Sequence, residues 1–331
     1  MKRIALLALV LAAGCGDNLR PEGGNGGGSD GGGSNDGPGG NAFTTLASFD
    51  PAMGQLPEGI TVSGGNVYVG LAPLGQVVKV DGGTFTAFGN LPGTVKDTYT
   101  LGLAPNAAGD IFVGVGVAGA APVPAPGIYK IPAAGGQATL FASAAAMVFP
   151  NGLDVDGSIL YVADSGSGKI FRVGSGGGVS LWKGDPLLVG DQTACGGSGA
   201  GFNIGANGIT HDASFRYVAV SDFGRIVKIA INADGTAGAA TVVAEDCALL
   251  QGADGIALDS DGSILVVRNG PSNTMQRVAQ DGTINNVHTG APLDGPASIV
   301  VDGTRALITN SAFFSAPAGN GTPSVVSFDL Q

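Results

Sequence analysis

Pro150-Asn151-Gly152-Leu153 is the clearest copy of a four-residue phrase that recurs along this sequence. Five further copies are Pro57-Glu58-Gly59-Ile60, Thr100-Leu101-Gly102-Leu103, Ala206-Asn207-Gly208-Ile209, Ala253-Asp254-Gly255-Ile256 and a degenerate Gly295-Pro296-Ala297-Ser298. With Ala297 taken as the sixth equivalent of the glycine, the spacings are 43, 50, 56, 47 and 42 residues. Repeats of this length are typical of the four-stranded blades of a β-propeller.

Each repeat has the same internal order, which is plainest in the third. Its segments with period-two alternation are Gly152–Asp156, Ile159–Asp164, Lys169–Val173 and Val179–Trp182. Alternation of this kind predicts strands, and the short glycine-containing segments between them predict tight turns. Each repeat is therefore interpreted as four antiparallel strands.

The sixth repeat runs out after its third strand, Ser324–Phe328. Ahead of the first repeat, Thr44–Phe49 resembles the fourth strands predicted at Thr84–Phe88 and Thr139–Ala142. A strand borrowed from the N-terminal side would remove the open sheet edges of the ring. We therefore predict an all-β, six-bladed propeller over residues 42–331, closed by an N-terminal strand that completes the last blade.

The first residues combine two basic side chains, Lys2 and Arg3, with the apolar run Ile4–Ala13 and small residues directly before Cys15. A run of ten is too short to cross a bilayer. The pattern resembles a bacterial lipoprotein signal, which would make residues 1–14 a signal peptide and Cys15 the lipidated first residue of the mature chain. An ordinary cleaved signal that precedes a chance cysteine is the alternative.

Composition bounds the rest of the chain. Residues 16–41 contain 12 glycines in 26 positions, so residues 15–41 are predicted to be a lipidated cysteine and a disordered tether. Removing Lys2 and Arg3 from the 15 basic residues leaves 13 against 26 acidic ones, a net charge of −13, which argues against nucleic acid as a partner. We expect an exported monomer, lipid-anchored to a bacterial membrane and facing the periplasm or the cell surface.

The phrases around Gly59, Gly152 and Gly255 resemble those of the senescence marker protein/gluconolactonase propellers and, more loosely, the NHL-repeat propellers. The resemblance implies a divalent cation at the channel mouth, held by Glu58, Asn207 and Asp254. Two carboxylates and an amide carbonyl are hard oxygen ligands that suit calcium or magnesium. Polar side chains that only satisfy turn backbone are the alternative.

The same resemblance implies catalytic roles for Asp254 as a base and for Asn151 as a substrate contact. The sequence departs from the family at two points, because Gly152 stands where an acidic residue is expected and the family's nearby arginine has no counterpart. Our leading hypothesis is therefore a binding module that presents its top face to a small molecule, a glycan or a protein. The alternative is a calcium-dependent lactonase.

Cys195 and Cys247 lie in the connections that enter the fourth and fifth blades. An exported chain with one remaining cysteine pair usually oxidises it, so a disulfide is predicted, with two free thiols as the alternative.

The two histidines do not suggest a catalytic triad. His211 is in register with Val155 and Leu258 and is predicted to pack in the core, while His288 falls on an outer strand. Trp182, the single tryptophan, is predicted to pack within a blade.

The lipoprotein assignment predicts the behaviour of Cys15→Ser. Without the thiol that carries the lipid, the protein should move from the membrane fraction to the soluble fraction. Fractionation of cells that express either form, followed by immunoblotting, measures the change. Identical membrane association of parent and variant would contradict the assignment.

Overall fold

The computed structural model describes residues 43–117, 119–197, 200–270 and 272–330. The predicted signal peptide, Cys15 and the tether lie outside these residues. Within them, six antiparallel sheets surround one axis, which confirms the predicted six-bladed β-propeller. No helix in the described ranges is long and apolar enough to cross a membrane.

The strands follow the chain in blade order. They are β1 (Phe43–Ser48), β2 (Pro57–Ser63), β3 (Asn66–Leu71), β4 (Gln76–Asp81), β5 (Thr84–Asn90), β6 (Thr98–Pro105), β7 (Ile111–Val117), β8 (Gly127–Ile131), β9 (Gly136–Gln137), β10 (Thr139–Ala142), β11 (Pro150–Asp156), β12 (Ile159–Asp164), β13 (Lys169–Val173), β14 (Val179–Gly184), β15 (Ala206–His211), β16 (Phe215–Val220), β17 (Arg225–Ile231), β18 (Ala237–Glu245), β19 (Ala253–Leu258), β20 (Ile264–Arg268), β21 (Thr274–Val278), β22 (Ile284–Thr289), β23 (Pro296–Asp302), β24 (Arg305–Asn310) and β25 (Ser324–Asp329).

Among the residues that the structure describes, helical structure is confined to single turns. The α-helix α1 spans Cys247–Leu250, and 3₁₀ turns occur at Pro51–Met53, Ala72–Leu74, Pro186–Leu188, Ala194–Gly196, Ser221–Phe223 and Ala316–Ala318.

Each blade is ordered from an inner strand to an outer strand. The blades are β2-β3-β4-β5, β6-β7-β8-β10, β11-β12-β13-β14, β15-β16-β17-β18, β19-β20-β21-β22 and β23-β24-β25-β1. The short strand β9 adds to the outer edge of the first blade, parallel to β5. In the sixth blade β1 pairs antiparallel with β25 and places Phe43 opposite Phe328, so the ring closes as predicted.

The hydrophobic core is divided among the junctions between neighbouring blades. At one junction Tyr161 and Ile170 of the third blade pack against Val218 and Val227 of the fourth. The central strands are buried on both faces, which explains their nearly continuous Val, Ile and Leu content. Each buried aliphatic side chain contributes about 1.5–3 kcal/mol, so the junctions hold the ring together.

Every inner strand carries a β-bulge near its start, directly after the first residue in five blades and after the third residue, Thr100, in β6. In β2, Pro57 pairs with Leu71 and Ile60 with Val69, so two residues, Glu58 and Gly59, face a single residue of β3. The same shift recurs in β6, β11, β15, β19 and β23. Bulges bend a strand and redirect its side chains, and here they lie at the axial end of all six blades.

The sixth repeat differs by one residue from the predicted alignment. Pro296 pairs with Asn310, so Ala297 takes the place of Glu58 and Ser298, not Ala297, takes the place of Gly59. The ladder with β24 determines this register, and the hydroxyl of Thr309 supports it. That hydroxyl accepts from Ser298 N at 2.9 Å and donates to Glu58 O at 2.6 Å across the junction with the first blade.

The repeated glycine is required because neighbouring inner strands touch through their backbones. A Cβ atom on Gly208 would lie 2.2 Å from the carbonyl oxygen of Asp254 in the next blade. Cβ atoms on Gly59, Gly102 and Gly152 would likewise lie 2.1 or 2.2 Å from a backbone carbonyl oxygen of the blade that follows. Such distances are too short for any side-chain carbon.

The disulfide, the single tryptophan and the second histidine lie where the sequence predicted them. Cys195 and Cys247 form the predicted disulfide, with their Cα atoms 5.2 Å apart. Trp182 packs edge-on against Tyr161 at a centroid distance of 5.3 Å and donates from Nε1 to Gly235 O. His288 lies on β22, as expected, against the ring of Phe43.

The axial contact predicts a large difference between two glycine substitutions. Gly208→Ala should cost about 2–4 kcal/mol, because the new methyl group meets backbone that cannot move independently. The matched control is Gly178→Ala, where the new methyl group would meet no atom within 4 Å and the change should be within about 0.5 kcal/mol of neutral. Chemical denaturation of both variants measures the difference, and equal losses would contradict the axial constraint.

Candidate functional site

Four polar side chains occupy the bulge position at one end of the channel. Glu58, Asn151, Asn207 and Asp254 are only 5, 8, 5 and 6% exposed. Leu101 and Ala297 complete the six equivalent positions, because the pairing of their strands places them at the same point of the bulge. The end of the channel is therefore lined by two carboxyl groups and two amides from the first, third, fourth and fifth blades.

Beneath these side chains the channel is surrounded by an aliphatic ring. The residue two positions after each of the six bulge residues contributes to it, and the ring consists of Ile60, Leu103, Leu153, Ile209, Ile256 and Ile299. Together with Asn151, Asn207 and Asp254 these residues line a space of about 60 Å³. The carboxyl groups thus stand on an apolar floor, which explains their poor solvation.

Glu58 carries the most perturbed carboxyl group of the site. Burial raises its pKa well above the ordinary value, and the negative charge of Asp254 raises it further. Its Oε2 atom is buried and has no hydrogen-bond partner among the described residues. Glu58 in turn acts on Tyr99, whose pKa is raised first by burial and then by the negative charge of Glu58.

Asp254 titrates near neutrality. Burial raises its pKa to about 7, although the amides of Asn269 and Asn207 act in the opposite direction. Asn269 Nδ2 donates to Asp254 Oδ2 at 3.0 Å, and Asn269 Oδ1 is buried without a partner in the described ranges. Asn207 Nδ2 donates to Ser221 Oγ at 2.9 Å, which leaves Asn207 Oδ1 as a potential ligand.

A cavity of about 320 Å³ opens above this end of the channel. Asn207 and Asp254 form part of its wall, whereas Asn151 lines the narrower channel space. The connection between β14 and β15 contributes Ile204, and the connection between β24 and β25 contributes Phe313 and Phe314.

Arg268 and Asn269 belong to the same cavity and were not singled out from the sequence. They follow directly after the apolar run of β20, at the end of the strand that faces the cavity. A charged residue that ends an otherwise aliphatic strand was the available signal. The equivalent strand ends in other blades are mixed, with Leu71 and Val220 aliphatic and Asp164 polar, and offer no consistent pattern.

The donor set fits a hard divalent cation. Glu58 and Asp254 supply two carboxylates, and Asn207 Oδ1 and Asn269 Oδ1 supply amide oxygens, of which the latter lacks a donor among the described residues. Calcium and magnesium prefer such oxygen ligands. No group of three or more His, Cys, Asp or Glu side chains is placed to hold a metal within the described ranges, so water would have to complete the coordination.

Comparison with solved structures shows several propellers of similar architecture. Regucalcin from Agrobacterium tumefaciens, described as a calcium-binding protein, has a TM-score of 0.60 at 18% identity over 84% of this chain and 92% of its own. A structure assigned to the gluconolactonases has a TM-score of 0.63 at 13% identity, covering 88% and 93%. A luciferin-regenerating enzyme has a TM-score of 0.59 at 13% identity, covering 88% and 95%.

The chain has the fold of these propellers. Identities this low establish the fold alone, because propellers of one architecture support unrelated activities. No protein-family model matches the sequence. No curated protein matches it.

The prediction that His211 packs in the core is wrong. His211 lies at the opposite end of the channel and lines a separate cavity of about 460 Å³ together with Asp154. Its Nδ1 is 2.7 Å from Asp154 Oδ2, and this hydrogen bond is the main reason that its pKa is raised. The register with Val155 and Leu258 was correct, but all three positions border the open end of the channel, where a polar side chain can reach water.

A fully buried arginine organises this lower cluster. Arg216 pairs with Asp154 and, at 2.7 Å, with Asp156, and its guanidinium stacks 3.2 Å from the centroid of the Tyr161 ring. Arg216 therefore links the fourth blade to Asp154 and Asp156 of the third blade.

The two raised carboxyl pKa values predict how the metal-free protein responds to pH. A group that binds protons more tightly in the folded state stabilises that state below its unfolded pKa and loses this contribution as pH rises. For Asp254 this contribution is lost between about pH 4 and about pH 7, and the free energy of unfolding should fall by on the order of 2–4 kcal/mol. Denaturation in the presence of a chelator, from pH 5 to pH 8, measures it.

The matched variant is Asp254→Asn, which should flatten this pH dependence and raise stability at pH 8. The raised pKa of His211 gives a contribution of the same sign, but it is present in both proteins and cancels in the comparison. Parallel pH profiles for parent and variant would show that Asp254 titrates normally.

Proposed function

We propose that this chain is an exported, lipid-anchored propeller that binds a divalent cation at one end of its channel and a ligand in the cavity above. One observation carries the proposal: Glu58 Oε2 is buried without a hydrogen-bond partner among the described residues, beside the buried carboxyl group of Asp254. Two carboxyl groups in such surroundings destabilise the fold when both are ionised. A bound divalent cation would neutralise both.

Glu58, Asn207 and Asp254 would hold the cation, and Asn269 Oδ1 offers a further ligand. Calcium is our first choice, because the set consists of oxygen atoms and the site leaves room for water. The description of the regucalcin structure as calcium-binding supports this choice. With few protein ligands, the dissociation constant should be on the order of 10⁻⁴–10⁻³ M, as in extracellular calcium modules.

A second candidate function is the hydrolysis of a lactone, supported by the pKa of about 7 at Asp254. A carboxylate with such a pKa could accept a proton from an attacking water near neutral pH. The cation, when bound, would polarise the ester carbonyl. Asn151 would contact the substrate, and the similarity in fold to a structure assigned to the gluconolactonases supports this candidate.

Titration calorimetry of the purified chain with calcium, magnesium and manganese tests the cation site. Because the carboxyl groups must lose protons to bind metal, binding at pH 6.5 should release protons, and the apparent enthalpy should depend on the ionisation enthalpy of the buffer. Affinity should increase from pH 6 to pH 8. Asp254→Ala and Glu58→Gln should abolish binding while the protein stays folded.

Asp302→Ala serves as the matched control, because Asp302 is an exposed carboxylate paired with Arg305 and lies outside the site. It should bind calcium like the parent chain. Absence of binding at millimolar metal, or unchanged binding in Asp254→Ala, would contradict the cation site. Calcium-dependent turnover of a lactone panel that is lost in Asp254→Asn would favour the hydrolase, and calcium binding without turnover would favour the binding module.

A further inference from the structure

Arg268 is a buried cation with no ionic partner in the described part of the chain. It is 8% exposed and lines the 320 Å³ cavity together with Asp254. Its Nε donates to Gln251 O at 2.9 Å and its Nη1 to Thr274 Oγ1 at 3.4 Å. Among the described residues, no carboxylate lies within ion-pair distance, although the negative charge of Asp246 acts on the guanidinium from farther away. A buried guanidinium in this condition has lost much of its water without a counter-ion in direct contact, which is costly.

The propeller does not need an arginine at this position. Arg268 pairs with the first residue of its inner strand, and the equivalent positions in the other blades are occupied by Leu71, Val115, Asp164, Val220 and Asn310. Aliphatic residues therefore suffice in three blades. Asp164 and Asn310 bond to the adjoining connections, as Arg268 does through Nε, but neither brings an unpaired charge into a cavity.

The cavity combines this cation with an apolar wall. Phe313 and Phe314 line it, and Phe314 is 59% exposed, which is unusual for so large an apolar side chain. When a divalent cation neutralises Glu58 and Asp254, Arg268 leaves the cavity with one positive charge. The chain as a whole has a net charge of −11, so this positive charge is local and specific.

We propose that the cavity binds a small organic monocarboxylate, whose carboxylate pairs with Arg268 and whose apolar part lies against Phe313 and Phe314. Guanidinium and carboxylate groups match in shape and form two parallel hydrogen bonds. The cavity volume falls within the range of small-molecule sites. The inference rests on the proposed function, because the cation at Glu58 and Asp254 gives the cavity its net positive charge.

Calorimetry with calcium-loaded protein tests the inference, with benzoate, phenylacetate and 3-phenylpropionate as probes. Each is compared with its neutral amide, which keeps the ring and removes the charge. At least one carboxylate should bind, roughly 10- to 100-fold more tightly than its amide. Arg268→Leu, which copies the residue of the first blade, should bind that carboxylate no better than the amide. Arg268→Lys should give an intermediate affinity, because a lysine cannot form the paired hydrogen bonds.

Calcium titration of the same variants separates this inference from the proposed function. Arg268→Leu should still bind calcium, because Arg268 is not among the proposed ligands. Failure of the parent chain to bind calcium would overturn the proposed function. If calcium binds but all three carboxylates fail at millimolar concentration, or bind no better than their amides, the inference is overturned. Equal carboxylate binding by the parent and by a folded Arg268→Leu variant would also overturn it.

Discussion

The contact between a glycine Cα and the carbonyl oxygen of the next inner strand is the constraint on which this ring depends. It brings backbone against backbone around the axis, as Gly208 does against Asp254. Because no side chain fits at the glycine, the residue before it is the nearest position from which a polar group can reach the channel. The bulge that accommodates the contact also directs that residue inward. One packing requirement therefore creates the ring and places the candidate ligands at its centre.

The same arrangement makes the channel end electrostatically unfavourable while it holds only protein atoms. Burial raises the pKa of Glu58 and of Asp254, so both keep protons at a pH at which exposed carboxyl groups would have lost them. Stability and binding therefore compete at this site, as they often do where a fold supports a function. The core between the blades is extensive enough to tolerate such a cost.

The fold was largely predictable because its main constraint leaves a visible trace, a glycine in a fixed setting. The sixth repeat was misaligned because Ser298 replaces that glycine and the register depends on Thr309, which lies in another strand. His211 was misplaced because hydropathy cannot distinguish the end of an inner strand, which borders the open channel, from the fully buried part of that strand. Arg268 and Asn269 went unnoticed because their importance comes from Asp254, which is close in space but belongs to a different strand.

The pairing of Phe43 with Phe328 brings the first and last strands of the propeller side by side in the sixth blade. Both ends of the folded part meet in one sheet, so a short linker could join them and the chain could be opened at an exposed turn elsewhere, such as the one at Gly176 and Gly178. Such a circular permutant would keep every blade and every axial contact. The ring geometry therefore does not require the sixth blade to be the one that combines strands from two distant segments. A permuted chain would combine them in a different blade.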